Sequence, residues 1–211
     1  MRIEIWSDLI CPWCGLGQHR LDRALEGVAH RDRIEVQHRS FQLDPRAPTT
    51  PRPAREMLRQ KYGLSDAQAT AAFARVEGLA EKDGLAPYIV GDNLVGNTRL
   101  AHEMLALASD RGLGDAAWTH VYRAYFGAKR SIFDVDALAE LGAEIGLAPD
   151  EVRAALGDGR SRARVDEDAR AAQALGATGV PFVVLDRRLA IAGAQPLETF
   201  RRAIEQASTA R

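Results

Sequence analysis

Cysteine is nearly absent. The 211 residues contain two, and both lie in one short stretch, at Cys11 and Cys14. That scarcity excludes a disulfide-stapled scaffold. With no second cysteine pair and no His-x-x-x-His cluster, the chain cannot complete a closed four-ligand zinc site, and no bound metal is expected. Lysine is scarce as well: Lys61, Lys82 and Lys129 are the only three among 28 basic residues, which face 29 acidic ones. Near-balance leaves no whole-chain field to attract nucleic acid or an anionic membrane, so neither is an expected partner. The arginine and alanine bias reads as background composition. No apolar run is long enough to span a bilayer. The first residues show no basic segment followed by an apolar stretch and a cleavage site, so a cytoplasmic location is expected. In a reducing cytosol a solitary cysteine pair points to catalysis or redox sensing rather than to stapling.

What the chain does have is a hydrophobic content of 46%, ample for a packed core in one domain or in one domain with a large insertion. Cys11-Pro12-Trp13-Cys14 sits at a junction. Arg2 to Ser7 alternates polar and apolar residues as a half-buried strand does, while Leu16, Leu21, Ala24, Leu25 and Val28 fall near helical spacing. Proline is favoured at the first helical position, so Pro12 there makes Cys11 the N-cap. The sulfur of Cys11 is then expected to face the free amides of Trp13 and Cys14, where the positive end of the helix dipole favours a thiolate over a thiol. Cys14, nearly a turn inside, is expected to be the protected partner. Such a pair can perform dithiol exchange, form half of a bridging metal site or pack as inert thiols. Its place between strand and helix favours exchange.

Further along, Arg33 to His38 alternates again and reads as a second strand, giving a β-α-β unit with parallel pairing. Pro45, Pro48, Pro51 and Pro53 then crowd a stretch in which no regular structure is expected, and an insertion boundary falls there. From 53 to 176 the periodicity is helical. Ser65-Asp66-Ala67-Gln68 resembles a capping box, Asn97 is a candidate cap, and the Trp118, Val121, Tyr122, Tyr125, Phe126 stripe reads as core. The charged run from Arg160 through Asp168 reads as a solvated, ion-paired helix face. Phe182 to Leu185 and Leu189 to Ala192 form two short strands around a polar turn, and a closing helix follows from Pro196.

A second anchor comes from Gly179-Val180-Pro181-Phe182, where a proline opens a core strand. With it, the chain resembles the DsbA-like branch of thioredoxin-fold oxidoreductases, and within that branch the FrnE-type proteins. The matching segments are Ile5-Trp6-Ser7-Asp8 with the cysteine tetrad, Arg39-Ser40-Phe41-Gln42-Leu43-Asp44-Pro45, Tyr125-Phe126, Gly179 to Phe182, and Gly193-Ala194-Gln195-Pro196. The resemblance implies an α/β thioredoxin fold formed by residues 1–52 and 177–211, interrupted by an all-helical insertion at 53–176. It further implies that Pro181 is cis and lies beside the redox pair, and that Val180 offers backbone hydrogen bonds to a substrate peptide. Two departures stand out. Gly15-Leu16 follows the tetrad where many relatives carry a bulkier residue, and the additional C-terminal cysteine pair of some FrnE-type proteins is missing.

The expected activity is therefore thiol–disulfide exchange, including isomerisation, on protein or small-molecule thiols and disulfides. Cys11 attacks, Cys14 resolves, Pro12 and Trp13 tune the pair, and Val180 with Pro181 shapes docking. No metal or flavin is required, and electrons are exchanged with glutathione or a thioredoxin-like donor. Asn97 and His102, in another segment that resembles the family, are further candidates, with helix packing as the plain alternative. Two rivals remain. Kappa-class glutathione transferases and hydroxychromene-carboxylate isomerases share the helical insertion but resemble a design with serine in place of Cys11, and a binding protein or holdase would leave the cysteines incidental. The sequence leaves oligomeric state open.

Overall fold

Alternation in the first strand decides which residues meet on each side of the sheet. The computed structural model describes residues 1–209. In chain order the elements are β1 (Arg2–Ser7), α1 (Pro12–Leu25), β2 (Glu35–Ser40), β3 (Arg52–Pro53), α2 (Ala54–Tyr62), α3 (Asp66–Lys82), β4 (Leu94–Val95), α4 (Arg99–Asp110) and α5 (Gly114–Tyr122). They continue with α6 (Val135–Glu144), α7 (Pro149–Asp158), α8 (Arg162–Ala174), β5 (Phe182–Leu185), β6 (Leu189–Ala192) and α9 (Leu197–Thr209). The chain forms two compact units, Met1–Leu43 with Ala163–Arg211, and Asp44–Arg162.

The first unit holds a sheet of order β2-β1-β5-β6. β1 pairs parallel with β2 and antiparallel with β5, in the register Ile3↔Leu185 and Ile5↔Val183. Because side chains alternate across a sheet, Ile3, Ile5, Val183, Leu185 and Ile191 share one face and pack on Leu21 and Leu25 of α1 and Phe200 and Ile204 of α9. Trp6, Phe182 and Val184 lie on the other face with Ala172 of α8. β5 is buried on both faces, which explains its unbroken apolar run. The second strand begins two residues later than its alternation suggests, since Arg31–Arg33 closes a 3-10 turn ahead of it.

The second unit is mainly helical. The expected capping box is formed at Ser65 and Gln68, and the aromatic stripe is core, with Trp118, Tyr122, Tyr125 and Phe126 all buried. A π-helical turn at Arg123–Gly127 brings Tyr125 and Phe126 edge to face at 4.7 Å. Three local expectations need correction. Arg52–Pro53, within the proline-rich stretch, pairs with Leu94–Val95 as a two-residue antiparallel bridge. The helical unit spans Asp44–Arg162 rather than 53–176, because α8 packs on the sheet of the first unit. Asp168 is not on a solvated face. It is 4% exposed, its backbone carbonyl accepts the Trp6 indole N–H at 2.8 Å, and its carboxylate accepts from Arg39 at 2.9 Å and the Ser40 amide at 3.0 Å. The i,i+4 pattern of the run conceals a buried residue because pairing along one helix cannot show what the next element contributes.

Candidate active site

Cys11 is the N-cap of α1, with extended backbone angles (φ −83°, ψ 110°) and Pro12 in the first turn. The turn before the helix is closed by the Cys11 amide donating to the Asp8 carbonyl at 3.2 Å, and the Cys11 carbonyl accepts the Cys14 amide at 2.9 Å. The expected contact of the Cys11 sulfur with the amides of Trp13 and Cys14 is not formed, for the side chain makes no capping hydrogen bond. It turns the other way. Its Sγ–H donates to the Val180 carbonyl oxygen at 3.7 Å, so one partner of the sulfur belongs to the segment preceding β5. The Val180–Pro181 peptide bond is cis. Gly193, just past β6, donates its N–H to the Pro181 carbonyl at 2.8 Å and ties that segment to the next loop.

Both cysteines are free and buried, Cys11 at 5% exposure and Cys14 at 0%. Cys11 is therefore less open than the sequence suggests, although the order of the two is as expected. Burial pushes the Cys14 thiol well above its ordinary value, and the adjoining Cys11 sulfur raises it further; a hydrogen bond from the Asp8 backbone opposes the rise. Asp8 is itself fully buried, with its carboxylate held by the Leu43 amide at 2.7 Å. Pro12 and Trp13 are half-buried beside the pair.

The first unit thus brings Cys11, Pro12, Trp13, Cys14, Val180 and Pro181 together. Asn97 and His102 are placed in the helical unit, where each has a packing role. Asn97 donates its amide to the Pro45 and Ala47 carbonyls, both at 3.1 Å, and accepts from the Arg99 amide at 2.9 Å, next to the Thr98 N-cap of α4. His102 is fully buried, its ring 5.6 Å from that of Trp118. Among the described residues no cluster of three or more His, Cys, Asp or Glu side chains could hold a metal ion, and no helix is long and apolar enough to cross a membrane.

A family model for the DSBA-like thioredoxin domain matches residues 2–205. The chain belongs to that family. Its fold is the thioredoxin fold of DsbA-like proteins. A structure described as a probable DsbA oxidoreductase from Streptomyces coelicolor is 45% identical, with a TM-score of 0.95 over 100% of this chain and 91% of that one. The cytosolic disulfide reductase DsbM from Pseudomonas aeruginosa, solved with GSH, has the same fold at 22% identity and a TM-score of 0.68, covering 99% of this chain and 100% of that one. A 2-hydroxychromene-2-carboxylate isomerase shares the fold at 15% identity and a TM-score of 0.74, covering 99% and 96%.

Sequence reasoning missed three features of this DSBA-like domain. Asp8 supplies a buried carboxylate and a backbone contact to Cys14. Gly17 lies in α1 where an added Cβ would come 2.9 Å from Pro181 Cγ. Arg20, 9% exposed, holds the loop after β6. The signals were there to find: a glycine in a helix interior asks for a close approach, and an arginine between Leu16, Leu21 and Ala24 sits on a face that otherwise buries carbon.

Proposed function

We propose that the protein is a thiol–disulfide oxidoreductase whose working pair is Cys11 and Cys14, acting on protein or small-molecule disulfides. The observation that carries the reading is the placement of the Cys11 sulfur at the start of α1 against the Val180 carbonyl, with Cys14 wholly buried one turn behind it. In the reducing direction the Cys11 thiolate attacks one sulfur of a substrate disulfide, forms a mixed disulfide and expels the other substrate sulfur as a thiolate. The Cys14 sulfur, after losing its proton, attacks Cys11 Sγ. The intramolecular disulfide forms and the second substrate thiolate leaves, so the protein is oxidised by two electrons and the substrate reduced by two. Two glutathione thiols, oxidised to glutathione disulfide, or a thioredoxin-like dithiol restore the pair. The reverse sequence is oxidation, and release of the substrate from the mixed disulfide to a different cysteine is isomerisation.

Burial of Cys14 serves this order. A thiol kept protonated in an apolar site is a poor attacker until the mixed disulfide has formed beside it, which leaves time for substrate exchange. Val180 and Pro181 supply the docking edge, and Pro12 and Trp13 flank the sulfur. We place the chain with the FrnE-type proteins and its reaction in the cytoplasm, where a lone exchangeable pair would act as a reductase or isomerase.

Cys14→Ser tests the roles directly. Incubated with a disulfide-bonded protein, this variant is expected to accumulate a covalent adduct through Cys11, mapped by mass spectrometry of non-reduced peptides, whereas Cys11→Ser is expected to give almost none. Equal adducts on both variants would remove the division of labour, and no adduct on either would leave a binding protein as the better reading. The isomerase-type rival is disfavoured by the intact cysteine pair.

A further inference from the structure

Arg20 is a buried cation that the exchange steps above do not use. Its Nη1 donates to the Ala194 carbonyl at 2.7 Å and reaches the Gln195 carbonyl at 3.4 Å. These carbonyls belong to the loop between β6 and α9, whose first residue, Gly193, donates its N–H to the Pro181 carbonyl at 2.8 Å. The preceding carbonyl, that of Val180, receives the Cys11 sulfur. A run of polar contacts therefore leads from Arg20 through the 193–195 loop to the nucleophile. Gly17 completes it from the apolar side, because a Cβ there would lie 2.9 Å from Pro181 Cγ and 3.5 Å from Ala194 Cα. Cys14, Gly17 and Arg20 are spaced three residues apart, so one stripe of α1 bears the resolving sulfur, the contact with Pro181 and the hold on the loop.

We propose that Arg20 is a positioning residue for dithiol exchange: its guanidinium clamps the 193–195 loop, the loop fixes Pro181, and the Val180 docking edge is thereby held against Cys11. The proposal rests on the dithiol-exchange reading. The chemistry suits the residue. Loops without regular pairing drift unless their backbone groups are tied down, and a guanidinium presents several donors in a rigid fork, so one side chain reaches two successive carbonyls. An ammonium in the same place is a more compact donor on a flexible stem and would hold the loop less firmly. Close packing through Gly17 leaves little room for Pro181 to shift once the loop is held.

Arg20→Gln, Arg20→Lys and Gly17→Ala test this in the full chain, with two readouts. Amide hydrogen exchange at Gly193 reports on the clamp without turnover. Arg20→Gln is expected to accelerate it by about tenfold or more while the β1 amides keep their protection, and Arg20→Lys is expected to retain most of the slow exchange. KM for a peptide disulfide reports on the docking edge. It is expected to rise about fivefold in Arg20→Gln and in Gly17→Ala, while alkylation of Cys11 by iodoacetamide, which needs no docking edge, stays within about twofold. Unchanged Gly193 exchange in Arg20→Gln overturns the clamp. Faster exchange with an unchanged KM in both variants overturns its role in positioning, and a loss of Cys11 alkylation and of thermal stability that accompanies the rise in KM shows a merely structural residue. A wild-type protein that turns over no disulfide defeats the exchange reading instead, and the Gly193 amide still shows whether Arg20 holds the loop.

Discussion

The two faces of the small sheet are stabilised by different physics. Under α1 and α9, Ile3, Ile5, Val183, Leu185 and Ile191 meet Leu21, Leu25, Phe200 and Ile204 with no charged side chain among them. On the opposite face Trp6 and Phe182, with ring centroids 6.0 Å apart, share the sheet with Glu4 and Arg39, and α8 adds the buried Asp168. Arg39 bridges the two carboxylates at 2.9 Å each, and Arg187 reaches the second Glu4 oxygen at 3.2 Å. The apolar face stabilises in proportion to the area it removes from water and fits any helix of suitable shape. Across the sheet, each member of the paired face accepts only one arrangement of β1, β2, α8 and the β5–β6 turn, so that face specifies geometry at the expense of desolvation. Its two carboxylates differ accordingly. Burial pushes Glu4 up, but Arg187, Arg39 and Arg2 together outweigh it and hold the group below its ordinary value. For Asp168 burial dominates over the Ser40 amide and Arg39, and the group is raised.

The contrast is sharpest in how stability should respond to pH. Phe200→Ala, on the apolar face, is expected to have the largest effect, about 4 kcal/mol, because a fully buried ring is lost and a cavity is left. Urea titration should give a loss of similar size at pH 5 and pH 7, since the apolar area and the cavity that set it carry no charge. Arg39→Met is expected to cost about 3 kcal/mol at pH 7, for it takes a charged partner from two buried carboxylates at once and leaves Arg187 on Glu4 and the Ser40 amide on Asp168. Its cost should shrink as the pH is lowered towards 4. Without the guanidinium both carboxyls bind a proton in the folded state more readily than they do in the intact protein, so the variant's deficit grows as pH rises and closes as it falls. In the intact protein the depressed value of Glu4 gives stability that is present above the ordinary 4.5 and lost as pH falls through the folded value. An Arg39→Met cost independent of pH would break the comparison, for the paired face would then be acting as packing alone.

These two faces also show what a sequence can disclose. The apolar face was legible because Ile3 and Ile5 alternate with polar residues and because Leu21 and Leu25, like Phe200 and Ile204, recur at helical spacing, patterns that a single element imposes on itself. Cys11-Pro12 was legible for the same reason: a proline at the first helical position fixes the N-cap by local geometry. The direction of the Cys11 sulfur was not, since its partner, Val180, lies 169 residues away. Asp168 was misread on the same grounds, as its partners stand on β2 and its charge neighbours on α8 explain it equally well at the surface. Arg20 and Gly17 belong with them. What remained hidden is what joins distant segments by single polar bonds or single close approaches, which leave no period in the chain.

Asp168→Asn is expected to be the mildest change and has the opposite sign of pH dependence. The amide is nearly isosteric with a protonated carboxyl and can still accept the Ser40 N–H or an Arg39 N–H, so the cost at low pH reflects one imperfect hydrogen bond and should be about 1 kcal/mol. In the intact protein the folded-state value of Asp168 lies above its ordinary 3.8, which means that the folded protein binds the proton more tightly and loses stability as pH rises from 3.8 through the folded value. Asparagine removes that loss. The difference between variant and wild type should therefore narrow as pH is raised across the window, just where the cost of Arg39→Met grows. Urea midpoints at pH 4 and pH 7 decide it. If Asp168→Asn costs more at pH 7 than at pH 4, attraction to Arg39 outweighs desolvation, and the two carboxylates of the paired face would be held in the same way rather than in opposite ways.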